Sequence, residues 1–236
     1  LLLANPDYWV VFRNTIFIVF TSVALSLLLG FIVALIMDKF SSNIIRGFII
    51  IPWLIPNVVV GIILKWVFAT DAGVFNYLLR ALGLMDSNFP FLVDKVVTPW
   101  IVVFAFIWSS TPYIIVTTLA ALKAVPNDLV EAAYIDGANY MQRLFAVVIP
   151  VILPVISIAI VLRIIYTMQN FAIIFALTEG GPGMATETFV LFVYKTAFNS
   201  TKIGMACTIG VTWLVFLLVF IIVYFKLMGV TKDRVL

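Results

Sequence analysis

Four polar residues interrupt one long apolar stretch of the chain: Arg163, Tyr166, Thr167 and Asn170. Their spacings from Arg163 (3, 4 and 7) place all four on one face of an α-helix. Lipid cannot satisfy such a stripe, so it must face protein or a water-filled cavity. Two other apolar stretches supply similar groups. Trp53 and Asn57 lie beside Pro52 and Pro56, and Ser109, Ser110 and Tyr113 surround Pro112. Aromatic rings combined with hydroxyl and amide groups suit a sugar: rings cover its C–H surfaces and polar tips meet its oxygens. The plain alternative is hydrogen bonding between helices, which contributes only about 0.6 kcal/mol per pair. For Thr167 that alternative is as good. For Arg163 it is weaker, because a central arginine needs a partner and residues 147–177 contain no acid. Arg163 is expected to face a carboxylate or phosphate, on a ligand or on a partner chain.

Other chemistries find little support. The chain has no histidine and one cysteine, Cys207 in an apolar run, so neither a Cys/His metal site nor a disulfide framework is expected. No G-x-x-x-x-G-K-[ST] loop is present, and Gly180-Gly181-Pro182-Gly183 reads as a turn. Asp38, Asp71, Asp86, Asp94 and Glu179 fall at or beyond the ends of the apolar stretches, which leaves no row of membrane carboxylates for proton coupling. An intramembrane enzyme would also lack an acid–base pair in the spans.

The elements that position these residues follow from composition. Of 236 residues, 64% are hydrophobic and 11% charged. A soluble fold of this size cannot hide so much apolar surface, so the solvent must be lipid. The net charge of +3 is spread over many loops and gives no nucleic-acid footprint. The expectation is an all-α, polytopic transmembrane bundle forming a single domain over residues 1–236. Five stretches are long enough to cross a bilayer: 14–37, 46–68, 96–122, 147–177 and 205–227. Ser41-Ser42-Asn43 is read as a turn, and Lys232-Asp233-Arg234 closes the tail. The chain opens at Leu1 without methionine, and a preceding segment is expected.

Two long loops, 69–95 and 178–204, alternate with shorter ones and so share one side. The short-loop side carries Lys39, Arg46, Lys123, Arg143, Lys226, Lys232 and Arg234. The other carries Arg13, Lys65, Arg80, Lys95, Lys195 and Lys202. The denser basic side is placed in the cytoplasm. Prolines fall in pairs, 52 and 56, 99 and 112, 150 and 154, in the second, third and fourth stretches. Each removes a backbone donor, and broken helices commonly build a substrate site.

Between the third and fourth spans lies KAVPNDLVEAAYIDGANYMQRLFAVVIPVILP, residues 123–154. Pro126 ends a helix, and Asp128 with Glu131 three residues on resembles a capping box starting a short helix. Gly137 can stop that helix at positive φ. A second amphipathic helix is expected from about Asn139 into the next span. From physics alone this could be a simple connector. Glu131-Ala132-Ala133, then Asp136-Gly137-Ala138, Phe145, Pro150 and Pro154, resembles the EAA coupling loop of ATP-binding-cassette (ABC) importer permeases. Asn14-Thr15, Pro52 to Pro56, the Thr178 to Gly183 run and Thr186-Glu187-Thr188 resemble the carbohydrate-uptake branch, including maltose-type and glycerol-phosphate-type members. The resemblance covers essentially the whole chain.

That resemblance implies a multi-pass inner-membrane permease of six helices in the native chain, of which five are visible. It implies that residues 123–146 are a cytoplasmic coupling loop in which Glu131, Ala132, Ala133, Asp136, Gly137 and Ala138 insert into a cleft on an ATPase subunit. It implies substrate contacts at Trp53, Asn57, Ser109, Ser110, Tyr113, Arg163, Tyr166, Thr167 and Asn170. Arg163 and Tyr166 stand where the family often has small polar groups, which bears on the identity of the sugar. The implied partners are a second permease, two ATPase subunits carrying ATP and Mg, and an extracytoplasmic binding protein that delivers the sugar. The chain itself would hold no cofactor and catalyse no reaction. The competing reading is an ATPase-independent secondary transporter or channel for a small polar solute.

Overall fold

The computed structural model describes residues 2–40 and 43–228. The expected turn at Ser41-Ser42 and the basic tail Lys232-Asp233-Arg234 lie outside them. The described residues are helical or irregular, with no strand. After a 3₁₀ turn, Leu2–Ala4, come α1 (Pro6–Phe40), α2 (Asn43–Leu54), α3 (Asn57–Val67), α4 (Val74–Ala81), α5 (Val97–Lys123), α6 (Asn127–Ile135) and α7 (Tyr140–Arg143). A π-turn, Leu144–Val148, joins α7 to α8 (Ile149–Met168). Then follow α9 (Ala172–Thr178), α10 (Phe189–Tyr194) with a second π-turn at Lys195–Asn199, and α11 (Ile203–Leu227).

Four helical stretches are long and apolar enough to span a membrane: Pro6–Lys39, Val97–Lys123, Tyr140–Met168 and Ile203–Leu227. The bent pair α2–α3 makes a fifth. The prolines act unequally. At Ile55-Pro56 the chain turns by 92° between α2 and α3. Pro56 cannot donate to the preceding turn and sits extended (ψ 138°) as the N-cap of α3. In α5, by contrast, the helix runs unbroken through Pro99 and Pro112, which corrects the expectation of three broken helices. Pro99 lies in the first turn, where no donor is needed. The fourth span likewise runs unbroken through Pro150 and Pro154 and breaks only after Met168, where Asn170 restarts it by accepting the Ile173 N–H at 3.1 Å.

α1 and α5 pack along much of their length, and α3 packs on α9. Phe106, Ile173, Ile174 and Leu177 are fully buried where α3, α5 and α9 meet. Tyr8, Val11, Met168, Phe189 and Trp213 join α1, α8, α10 and α11 in a second cluster. Outward-facing Leu28, Ile32, Leu214 and Leu218 remain exposed, as a lipid-facing surface requires. Because lipid is as apolar as these side chains, close packing rather than water exclusion holds the helices together. Gly61 shows how close: a Cβ there would lie 2.7 Å from the Ala176 Cβ and 2.9 Å from the Ile173 carbonyl oxygen. Gly61→Ala is therefore expected to push α3 off α9 and cost about 1–3 kcal/mol, read as a lowered unfolding midpoint of the purified protein.

The two long loops sit at the same end, as the alternation predicts. Lys65 pairs with Glu179 at 3.8 Å, and Arg13, Lys95 and Ala185 line one cavity beside the start of α1. Lys39, at the far end of α1, stacks over the Tyr140 ring at 3.6 Å. The motif residues around 178–188 build a compact loop. The Thr178 and Thr186 hydroxyls bond at 2.7 Å, Thr186 donates to the Gly181 carbonyl, and buried Glu187 pairs with Lys195 at 2.7 Å. Asn14 and Thr15 dock this loop on α1: the Asn14 amide donates to the Met184 carbonyl at 2.6 Å, and the Phe189 N–H donates to the Thr15 hydroxyl at 3.2 Å.

Candidate functional site

The break between α2 and α3 leaves a cavity of ≈ 240 Å³ against α5 and α8. Trp53 and Leu54 end α2, Pro56 and Asn57 begin α3, Ser109 comes from α5, and Arg163 and Tyr166 come from α8. A second cavity of ≈ 420 Å³ adjoins it and shares Trp53, Arg163 and Tyr166, with Tyr113, Leu162, Ile165 and Gln169 completing its wall. The Trp53 and Tyr113 rings lie 5.8 Å apart and tilted. The Asn57 amide donates to the Tyr166 hydroxyl oxygen at 2.6 Å, which ties the start of α3 to α8 and leaves the Tyr166 proton free to donate. Trp53 and Tyr166 are about half exposed, whereas Arg163 is only 6% exposed. The Arg163 guanidinium sits 4.8 Å over the Tyr166 ring, and its Nε is buried without a hydrogen-bond partner. Neither ion pair among the described residues includes Arg163.

Of the nine expected contacts, the structure brings Trp53, Asn57, Ser109, Arg163 and Tyr166 to the first cavity and Tyr113 to the second. It places Ser110, Thr167 and Asn170 elsewhere. Ser110 bonds Ser26 across the α1–α5 contact at 3.0 Å, Thr167 donates to the Arg163 carbonyl at 2.9 Å, and Asn170 caps α9. All three are buried. The reason is the rotation of α8 about its own axis. Leu162, Tyr166 and Gln169, at spacings of 4 and 3, form the open face, Arg163 lies on its edge, and Thr167 and Asn170 turn inward. Gln169 was not anticipated, although its place one turn after Tyr166 was a usable signal.

At the opposite end from the long loops lies the segment after α5. Glu131, Ala132, Asp136 and Gly137 are exposed, and Ala133 and Ala138 half-buried. Pro126, not Asp128, precedes α6: its ψ of 129° makes it the N-cap, with no side-chain cap bond. Asp128 thus falls inside the first turn, where its charge still favours the helix dipole. The capping box occurs one helix later, where Asn139 and Gln142 exchange bonds of 2.9 and 2.8 Å. Gly137 takes φ +83° as expected, and the Ala138 N–H bonds back to the Ala133 carbonyl at 3.0 Å. Arg143 then clamps the turn: it donates to the Ala138 carbonyl at 2.6 Å and lies 5.2 Å over the Tyr134 ring. Ile135 and Phe145 nevertheless stand 83% and 66% exposed.

Membrane-length helices around a polar, aromatic-walled cavity at a broken helix make this a polytopic membrane protein with room for a polar solute. The chain belongs to the family of binding-protein-dependent transport system inner membrane components, whose model matches residues 26–227. It is accordingly a multi-pass inner-membrane transport subunit, not itself an enzyme. It is 32% identical over 233 residues to the trehalose/maltose transport system permease protein MalF of Thermococcus litoralis, covering 98% of this chain and 78% of that one. It is 28% identical to the sulfoquinovosyl glycerol transport system permease protein SmoG of Agrobacterium fabrum, covering 97% and 74%. The fold matches a chain of a bacterial alginate ABC transporter solved in complex with an alginate pentasaccharide-bound periplasmic protein. There the TM-score is 0.87 at 21% identity, over 98% of this chain and 82% of that one.

Proposed function

We propose that this chain is one of two permease subunits of an ATP-driven importer that carries a sugar or oligosaccharide handed over by an extracytoplasmic binding protein. The observation that carries the reading is the cavity at the α2–α3 break, where Trp53 and Tyr166 offer half-exposed ring faces beside Asn57 and Ser109. This is the mixture of apolar faces and polar tips that a sugar needs. The sugar-transport roles of MalF and SmoG support the same substrate class.

The second part of the reading concerns the drive. The segment 123–146 is the coupling loop, and Glu131, Ala132, Ala133, Asp136, Gly137 and Ala138 form the element gripped by a partner ATPase. Its support is an exposed helix ended by a rigid turn, with apolar Ile135 and Phe145 uncovered beside it. Ile135 lies outside the membrane-length helices, and an apolar side chain left bare there favours a protein partner. Two such ATPases would bind ATP and Mg and close on nucleotide, which shifts the paired permeases between inward-open and outward-open populations. Reconstituted in liposomes with its partner permease, ATPases and binding protein, the chain is expected to take up labelled maltodextrin or another oligosaccharide. Uptake should occur only with ATP on the ATPase side and binding protein on the other. Uptake that persists without ATP would instead establish a secondary carrier or channel.

A further inference from the structure

We propose that the cavity at the α2–α3 break receives the carboxylate of an acidic sugar, with Arg163 as its counter-charge. The proposal rests on the importer reading above and narrows its substrate. Two independent sources of positive potential meet in this cavity. One is Arg163, 6% exposed, with Nε unpartnered and no acid paired to it. Burying an unpaired charge is costly. The Tyr166 ring beneath it, 4.8 Å away, offsets only part of that cost. The other source is the N-terminus of α3, an 11-residue helix whose N-cap, Pro56, and first residue, Asn57, line the same cavity. Its N-cap supplies no side-chain acceptor, and its first backbone bond runs from the Val60 N–H to the Pro56 carbonyl. The N–H groups ahead of Val60 therefore present roughly half a positive charge toward the cavity.

Neither cavity is lined by Asp or Glu. A neutral sugar would leave both positive groups uncompensated. A carboxylate can take two parallel guanidinium bonds and sit within the field of the helix end. The aromatic faces of Trp53 and Tyr166 would cover the ring that carries it. A carboxylate from the partner permease is the rival occupant. Arg163 is already covered by its own chain, so what remains open to it is the cavity, which suits a ligand group better than a second helix face.

The test uses the complete reconstituted transporter. Its tryptophan fluorescence is titrated with D-galacturonate and with D-galactose, the same ring without the charge. The acid is expected to bind about tenfold to a hundredfold more tightly, the value of a charged hydrogen-bonded contact. Arg163→Gln should level the two sugars, and Arg163→Lys should keep part of the preference, which separates lost charge from lost folding. Equal or better binding of galactose, or no response to either sugar, overturns the proposal. So does an Arg163→Gln variant that keeps the preference. If that variant instead separates the two permeases on size exclusion while wild type shows no preference for the acid, Arg163 serves the partner chain and the proposal fails. Uptake assayed in the same vesicles keeps the two readings apart. ATP-driven uptake of neutral sugar alone overturns only the acid assignment, whereas uptake independent of ATP overturns the importer reading.

Discussion

Gly137→Val is expected to lower ATP-driven uptake about tenfold while leaving the chain inserted and its cavity formed. Gly137 sits at φ +83°, outside the conformations that a β-branched residue readily adopts. Holding an L-residue there costs about 1–2 kcal/mol. A Cβ at this position meets nothing within 4 Å, so the cost is purely one of backbone conformation. The turn it maintains aligns α6 with α7, through the Ala138 N–H on the Ala133 carbonyl and Arg143 on the Ala138 carbonyl. If valine displaces the turn, only a fraction of molecules keeps the docking geometry. Affinity for the ATPase falls by that fraction, about tenfold for 1.4 kcal/mol.

The comparison that isolates the effect is Gly83→Val. Gly83 has φ +68° and is equally open, but it lies in the long loop at the other end of the molecule. The same strain there should leave uptake within about twofold of wild type, since it costs local stability but touches no coupling element. Retention of the ATPase on the affinity-purified permease, measured for both variants, gives the decisive reading. Loss for Gly137 alone establishes the turn as the coupling element. Equal loss for both would mean that general folding is responsible, and no loss for either would make 123–146 a simple connector.

The spans were legible in the sequence because lipid imposes a length and an apolar composition that few other constraints mimic. The break at Pro56 was legible because proline removes a donor, yet the 92° turn was not, since no local pattern links Gly61 to Ala176, against which α3 packs. Periodicity grouped Arg163, Tyr166, Thr167 and Asn170 on one face but could not say which edge of that face was open. Packing of Ile164 and Met168 into the α1–α11 cluster sets the rotation of α8, and it turned Thr167 and Asn170 inward. Ser110 was drawn away by Ser26, a residue 84 positions distant that no local pattern links to it. The misplaced cap has a similar origin. Asp128 and Glu131 have the right spacing, but Pro126 fixes an extended backbone and starts the helix two residues too early for Asp128 to cap it.

Asn76→Leu is expected to cost about 3 kcal/mol of stability, from several buried backbone groups left with reduced pairing. Nothing in the sequence marks Asn76: it is one polar residue in a long loop. In the structure it is 1% exposed, and its amide group organises that loop. The two Nδ2 hydrogens are shared among the carbonyls of Ala69, Thr70 and Phe89, at 3.3, 3.1 and 3.0 Å, and the Phe89 N–H donates to Oδ1 at 2.9 Å. One side chain thereby ties the exit of α3 to the approach of α5. The tie holds Phe89 and Phe91 against Phe75 and Phe68, with successive ring centroids 4.9 to 5.8 Å apart. Leucine matches the size of asparagine but restores none of these bonds, and Asn76→Asp, which keeps the acceptor for the Phe89 N–H, turns an oxygen toward the three carbonyls and should also destabilise the loop. The measurement is the unfolding midpoint together with protease cleavage within 69–95. Because this loop lies at the end away from 123–146, Asn76→Leu should weaken uptake stimulated by the binding protein while retaining the ATPase, the reverse of Gly137→Val. A leucine variant as stable as wild type would show that the phenylalanine cluster alone holds the loop and that the Asn76 amide bonds are readily replaced by water.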